Sequence, residues 1–363
     1  MGKKNLDWLD YTEQFSGGYE SIRLRSRCCH YANIMSYNEV AKLLQDETGV
    51  SLLSDQRIHA IIHDEAVKVS ECNSKEAKAV LASGKALPAI NKEVGIYDSS
   101  VNEVLLFNDG IQVKKQKENR EKRSEPPCNK AADSSQSNAD KRESRIQTDV
   151  IMLEKADGNY IHLMEGIEKK SDAGASLEEL LTSTIITEYG SKKDGLNLVA
   201  ITDGAGSIRL YFERVFGFAI MLILDWYHLK KKIWNLMSMI SWNKSDKEIH
   251  CDILLKQLWT GQVDDALTYL KSVTPKNQKK YDELITYLTK HKTEIINYKA
   301  RKDAGKTIGS GRMEKGVDIV IGRRQKDNGM SWSEAGSKAL GILKVNELNN
   351  RIKLPDSDSL LAA

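Results

Sequence analysis

Two apolar runs close together in the chain constrain its fold more than any other feature. LNLVAIT (196–202) and FAIMLIL (218–224) are each followed by a helical pattern. A strand apolar on both faces has to be covered on both, which places it inside a parallel or central part of a sheet with helices around it. Upstream, three further β-rich runs occupy 101–114, 148–155 and 160–167. The last two flank ADGN, an Asp-Gly turn signal between paired strands. Ser176-Leu-Glu-Glu179 is a capping box that opens a helix to about Tyr189. From Trp226 onward the pattern is helical, with breaks near Asn243, Gly261 and Pro275. Ser331-Trp-Ser-Glu334 is expected to cap the last helix.

Three strands in a meander, then alternating helix and strand, is the element order of an RNase H-like α/β fold. Such a fold carries an acidic residue on its first strand, another just past its fourth, and a third on a late helix. Three Asp-Gly pairs compete for the first two places: Asp109, Asp157 and Asp203. If Asp157 marked the first strand, only YIHLMEGI would remain before the first helix of the α/β part, one strand short. With Asp109 on the first strand the count closes. Asp157 then belongs to a hairpin turn, where glycine accepts positive φ. Asp203 falls at the carboxyl end of the fourth strand, where open α/β sheets place their sites. Glu314, in IGSGRMEKGVDIVIGRRQKDNGMSW, is the late-helix candidate. Three converging carboxylates repel one another unless cations sit among them. Oxygen donors suit Mg²⁺ or Mn²⁺, and two such ions about 4 Å apart serve both the attacking and the leaving oxygen. Asn108 and Asp318 are further candidates to assist.

The flanking segments divide as follows. Residues 1–99 read as helical, with a capping box at Ser36-Tyr-Asn-Glu39, a break at Gly49, and Ser54 opening a helix whose Ile58, Ile61 and Ile62 face inward. This is either a DNA-binding helix-turn-helix, presenting Gln56, Arg57, His59, His63 and Lys68, or a plain helical hairpin. Residues 100–228 hold the core strands, and 117–146 form a polar, basic insertion too poor in apolar side chains to order itself. Residues 229–304 are an all-helical insertion, 305–350 return the glutamate-bearing helix to the core, and 351–363 are a tail. The lysines Lys230 and Lys231, with Lys315, Arg323, Arg324 and Lys326, either contact phosphates or form solvated faces. Trp234, Trp242 and Trp259 are core residues by default.

Composition sets wide bounds. Lys and Arg number 54 against 51 Asp and Glu, a net charge of +3, so a polyanionic partner is not demanded by charge alone. None of the five cysteines forms a Cys-x-x-Cys pair, which argues against a zinc knuckle or a disulfide framework. The start MGKKNLDWLD lacks a signal-type apolar core, and Leu6 stands where a myristoylation signal needs Ser or Thr. The longest apolar run, 215–224, is shorter than the about 20 residues of a bilayer span. A soluble, cytosolic protein with reduced cysteines and without membrane attachment is expected.

ITDGAGSIRLYFERVFGFAIMLILDWYHLKKKI, followed far downstream by GSGRMEKGVDIVIGRRQKDNGMSW, resembles bacterial insertion-sequence transposases of the DDE class, of the ISKra and ISLre type and related to Mutator-like transposases. The resemblance runs from about Ser36 to Asn350. It implies a metal-binding triad of Asp109, Asp203 and Glu314. It also implies an Asp-x-x-His box at Asp225 and His228, acting around the site or in packing. It implies cleavage at transposon terminal repeats, strand transfer into target DNA, and a dimer or larger assembly on DNA. Related transposases carry more sequence ahead of the Ser36 helix, so a shortened and inactive copy is also an expectation. The alternatives are a non-catalytic DNA-binding protein descended from such a transposase, and another RNase H-like nuclease.

Overall fold

The computed structural model describes residues 20–117, 144–167, 174–326 and 329–350. Most of the basic insertion and the tail lie outside the described residues. The chain opens with α1 (Ile22–Ala32), α2 (Tyr37–Thr48) and α3 (Asp55–Ala82). Strands β1 (Val104–Lys114), β2 (Arg145–Glu154) and β3 (Tyr160–Leu163) follow, then α4 (Leu177–Tyr189), β4 (Leu198–Thr202), α5 (Gly206–Phe216) and β5 (Met221–Leu224). The five strands form one mixed sheet in the order β3-β2-β1-β4-β5. β2 runs antiparallel to β1 and β3, while β1, β4 and β5 are parallel. The protein is therefore a mixed α/β protein.

Strand alternation gives each face of the sheet its own core. Val104, Leu106, Ile151, Leu153, Leu198 and Ala200 point to one side, where Leu181 and Ile185 of α4 and Phe212 of α5 cover them. Leu105, Phe107, Val150, Met152, Val199, Ile201 and Ile223 point to the other. That second face is continuous with the apolar residues of α1–α3 and of the later helices, so the N-terminal helices share a core with the sheet.

The capping box at Ser36 and Glu39 forms, and Gly49, at φ 74°, ends α2 in the left-handed conformation. The helix after it is longer than a helix-turn-helix needs. α3 spans 28 residues and buries Ile58, Ile61, Ile62, Ala66, Ser70 and Ala77 along its length. Arg57, expected as a DNA contact, is held by Glu20, whose carboxylate takes both its Nε and its Nη2.

After β5 come α6 (Trp226–Ile240), α7 (Lys244–Trp259), α8 (Val263–Leu270), α9 (Gln278–Lys290) and α10 (Tyr298–Asp303). The breaks fall where the sequence places them: Asn243 caps α7 through its side chain, and Gly261 takes φ 77°. Next are α11 (Gly311–Val317), a π-helical turn at Asp318–Gly322, a short α12 (Arg323–Gln325), and α13 (Glu334–Leu348). The cap of α13 is Ser333, which accepts from Gly336 N, and not Ser331 as the capping-box spacing suggests.

Arg324, another expected DNA contact, is only 3% exposed. Its guanidinium lies 4.8 Å from the Trp332 ring centroid and 5.9 Å from that of Tyr37, and its Nε donates to Ala32 O at 2.7 Å. Buried and stacked in this way it joins α1 and α2 to the loop before α13, and it does not reach a phosphate.

A second buried arginine ties the insertion to the sheet. Arg301, fully buried, donates to both Glu103 carboxylate oxygens at 3.0 and 2.7 Å, to Ile96 O at 3.2 Å and to Thr307 O at 2.7 Å. Lys306 completes the cluster on Glu103 at 2.7 Å. One side chain thus joins the segment before β1, the end of the insertion and the loop that leads to Glu314. Removing one partner of a buried ion pair leaves uncompensated charge and unpaired carbonyls. Arg301→Ala is expected to destabilise the fold by roughly 3–5 kcal/mol in chemical denaturation, whereas the exposed Lys299→Ala should change stability by less than about 0.5 kcal/mol.

Candidate active site

Strand register brings three aspartates into one row. β1 and β4 pair with Phe107 opposite Ile201, so carrying the register on by two residues sets Asp109 opposite Asp203. β4 and β5 pair with Thr202 opposite Leu224, so one further residue sets Asp203 opposite Asp225. Asp225 N donates to Thr202 O at 2.8 Å, which continues that pairing. All three aspartates follow strand residues of the same sheet face (Phe107, Ile201 and Ile223), so the row lies on the face shared with the late helices. Asp157, by contrast, sits exposed in the β2–β3 turn, accepts from Asn159 N at 2.9 Å, and precedes Gly158 at φ 80°.

The three members of the row are supported differently. Asp109 accepts from Gly110 N at 2.7 Å and Asp203 from Ala205 N at 2.7 Å. Among the described residues neither has a Lys or Arg salt-bridge partner. The Asp109 carboxyl is pushed up, first by burial and then by the charges of Asp203 and Glu314, against the opposing pull of Gly110 N–H and His228. Asp225 is 1% exposed and fully engaged. One oxygen accepts from Tyr227 N at 2.5 Å and His228 N at 3.0 Å, capping α6. The other accepts both the N–H and the O–H of Ser310 at the start of α11. Burial would raise this carboxyl, but His228 and Ser310 outweigh burial and bring it down to about 2.

His228 joins the row to the glutamate. Its Nδ1 is 3.6 Å from Asp225 Oδ2 and its Nε2 is 3.8 Å from Glu314 Oε1. The Asp225 carboxylate beside it holds the imidazole above its ordinary range despite burial, with Asp203 and Glu314 adding to the effect. Glu314 itself is exposed at the rim on α11. The glycines around it are close-approach positions. A Cβ on Gly309 would meet the Tyr227 ring at 2.6 Å, and one on Gly316 would meet Met152 Sδ at 2.3 Å. Asp318 opens the π-helical turn and pairs with the exposed Arg323, whose Nε is 3.0 Å away. Lys230, Lys231, Lys315 and Lys326 are exposed.

The insertion contributes residues that sequence reasoning missed. His291 and Glu294 are buried and joined at 2.5 Å, and Arg209 of α5 pairs with Glu294. His291 packs on the turn after Asp203: a Cβ on Gly204, which has φ 85°, would fall 3.1 Å from His291 Cε1 and 2.8 Å from Leu224 Cδ1. Glu294 O also accepts from Leu224 N at 3.0 Å. Tyr287 is close enough to feel Asp203, and burial foremost drives its hydroxyl pKa upward. The only sequence signal for this cluster was the spacing His291-x-x-Glu294 at a helix end.

A cavity of about 650 Å³ opens beside Asp109 and Asp203. Asp149, Glu165 and Glu334 also line it, against the cations Arg214 and Lys338, which are tied to Glu178 and Glu165. Asp109 and Asp203 offer hard oxygen donors and have no Lys or Arg partner among the described residues, the kind of donor a hard divalent ion takes. Among the described residues no three His, Cys or carboxylate side chains are already closed into a metal cage. Asp109 and Asp203 form the inner pair, with Glu314 at the rim beside His228.

The depressed Asp225 carboxyl carries a pH signature. A group whose pKa is lower folded than unfolded stabilises the fold above its unfolded value and loses that contribution as pH falls through the folded one. The drop from 3.8 to about 2 is worth roughly 2 kcal/mol at about 1.36 kcal/mol per pH unit. Asp225→Asn is expected to lower unfolding free energy by about that much at neutral pH, with the difference from the native chain shrinking below about pH 4 and closing near pH 2 in denaturant titrations.

Among the described residues no helix is long and apolar enough to cross a membrane. Comparison of the chain with protein-family models, with curated proteins and with solved structures finds no match.

Proposed function

We propose that this protein is a DNA transposase of the DDE class with an RNase H-like catalytic core. The observation that carries the reading is the placement of Asp109 on β1 and of Asp203 just past the end of the adjacent parallel strand β4, neither with a Lys or Arg partner among the described residues, and of Glu314 near the same row, with His228 between it and Asp225. The strand order 3-2-1-4-5, with only β2 reversed, supports the RNase H-like assignment. The helical insertion before Glu314 supports a transposase over other nucleases of that fold.

In this reading Asp109, Asp203 and Glu314 would hold Mg²⁺ or Mn²⁺, two ions in all. Bound there, the metal supplies Lewis-acid activation of the attacking hydroxyl and charge stabilisation at the leaving oxygen. The chain's own groups do the positioning. Asp225 locks the start of α6 to Ser310, and so fixes where α11 presents Glu314. His228, whose imidazole the Asp225 carboxylate holds above its ordinary range, stands between Asp225 and Glu314, where positive charge would offset the carboxylates that repel an incoming phosphodiester. His291 and Gly204 hold the turn that follows Asp203. The substrates are transposon terminal repeats and target DNA. Two ends held together require at least two protomers, and work on the chromosome places the protein in the cytoplasm at the nucleoid.

A second reading, a DNA-binding protein without catalysis, is favoured by one feature: the carboxylates are not gathered into a closed cage. Incubation of the protein with plasmid carrying the element's terminal repeats and Mg²⁺ separates the two. The expected result is nicking at the repeat ends and strand transfer, reduced by more than about a hundredfold in Asp203→Asn and Glu314→Gln. Asp225→Asn should lose roughly 10–100-fold, the usual cost of removing an outer partner of a metal ligand. Binding without nicking by the native chain would favour the second reading. Nicking that survives Asp203→Asn would remove the site assignment.

A further inference from the structure

One side chain beside the acidic row has no role in the scheme above. Tyr227 lies between Asp225 and His228 in sequence, yet its side chain faces outward: the residue is 61% exposed, among the most exposed large hydrophobic residues of the described chain. It is nonetheless held. Its N–H is fixed to Asp225 Oδ1 at 2.5 Å, and one edge of its ring rests where Gly309 leaves room, 2.6 and 2.7 Å from the place a Cβ would occupy. The rest of the ring meets solvent at the first turn of the helix that Asp225 caps. Leaving a large aromatic surface in water forgoes its burial, and a seat that needs glycine opposite it is a restrictive way to expose a ring.

The next turn of the same helix face carries Lys230 and Lys231, three and four residues on. Both are exposed, and neither has a carboxylate partner among the described residues. Their neighbour Lys232 differs: it is bound to Glu283 at 2.7 Å. Trp234, one turn further, is half-buried under the Lys247 ammonium, 4.8 Å from its centroid, so the free strip ends there.

We infer that Tyr227, Lys230 and Lys231 form a binding strip for single-stranded DNA leaving the acidic row, with Tyr227 stacked on an unpaired base beside the reacting phosphate. The inference rests on the reading of DNA as substrate and extends it. A fixed aromatic face followed by free cations is the combination that binds single strands: stacking tolerates any base, and the cations follow the backbone. A base in a closed duplex offers no free face to such a ring, so the strip selects a strand already unpaired at the cleavage point.

The test uses the full chain without divalent metal, so that cleavage is not read. An oligothymidylate carrying one 2-aminopurine is titrated with protein while fluorescence reports stacking of that base. Quenching on binding is expected. Tyr227→Ala should weaken binding roughly 5- to 150-fold and abolish the quench, while Tyr227→Phe and Tyr227→Trp retain both. Tyr227→Leu fills the seat without a π-face and should behave as alanine does, which covers the case of an alanine variant that does not fold. Lys230→Gln with Lys231→Gln should flatten the slope of log affinity against log salt by about 1.4, two contacts at about 0.7 each. Unchanged quenching in the alanine and leucine variants would overturn the stacking role. So would a phenylalanine variant as weak as alanine, tighter binding of paired than of single-stranded DNA, or preferential binding of an acidic peptide. Failure of nicking with this binding intact would count against the transposase reading and leave the strip standing.

Discussion

The carboxylate of Asp225 is the constraint on which the rest of the site depends. It lies just past the end of β5, where the register carries on to Asp203, and accepts four hydrogen bonds, two from the start of α6 and two from Ser310, 85 residues further along the chain. Without it, the helix that carries Tyr227, His228 and the lysines loses its cap. The Ser310 turn that delivers Glu314 loses its anchor too. Burying a carboxylate is costly unless its lone pairs are filled. Here they are filled by groups that belong to opposite ends of a long insertion, so forming the bond is the same event as assembling the site.

That arrangement gives the insertion a part in the site beyond spacing. Arg301 grips Glu103 just ahead of β1, and His291 presses on Gly204 just behind β4. The insertion therefore touches both strands that carry the inner aspartates. A long excursion between β5 and Glu314 is tolerated because its two ends return to the sheet edge and are fixed there by buried charge. The aromatic group of Trp226, Trp259 and Tyr298, with centroids 4.8–6.2 Å apart, fills the space between.

Much of this was legible in the sequence, for identifiable reasons. Continuous apolar runs announce buried strands, and the strand count assigned Asp109 to β1 and Asp157 to a turn, as the structure has them. Gly309, among the glycines ahead of Glu314, faces the Tyr227 ring closely enough that a methyl group would strike it. What could not be read depends on distant partners. Arg324 has the pattern of a solvated cation until Tyr37 and Trp332 close around it. Arg57 resembles a free DNA contact until Glu20 is placed beside it. The two share one feature: a charged residue's surroundings are set by what folds against it. The helix-turn-helix spacing likewise does not show that α3 continues for 28 residues as a core helix.

The central claim is that Asp109, Asp203 and Glu314 form a divalent metal site, and the most direct test is to locate the metal. Crystals of the full chain grown or soaked with Mn²⁺ would be measured for anomalous scattering. The account predicts a peak between the Asp109 and Asp203 carboxylates, with Glu314 drawn in from the rim toward it, and loss of that peak in Asp203→Asn. A well-ordered site in which Mn²⁺ binds elsewhere, or in which these carboxylates stay apart with no metal between them, would contradict it.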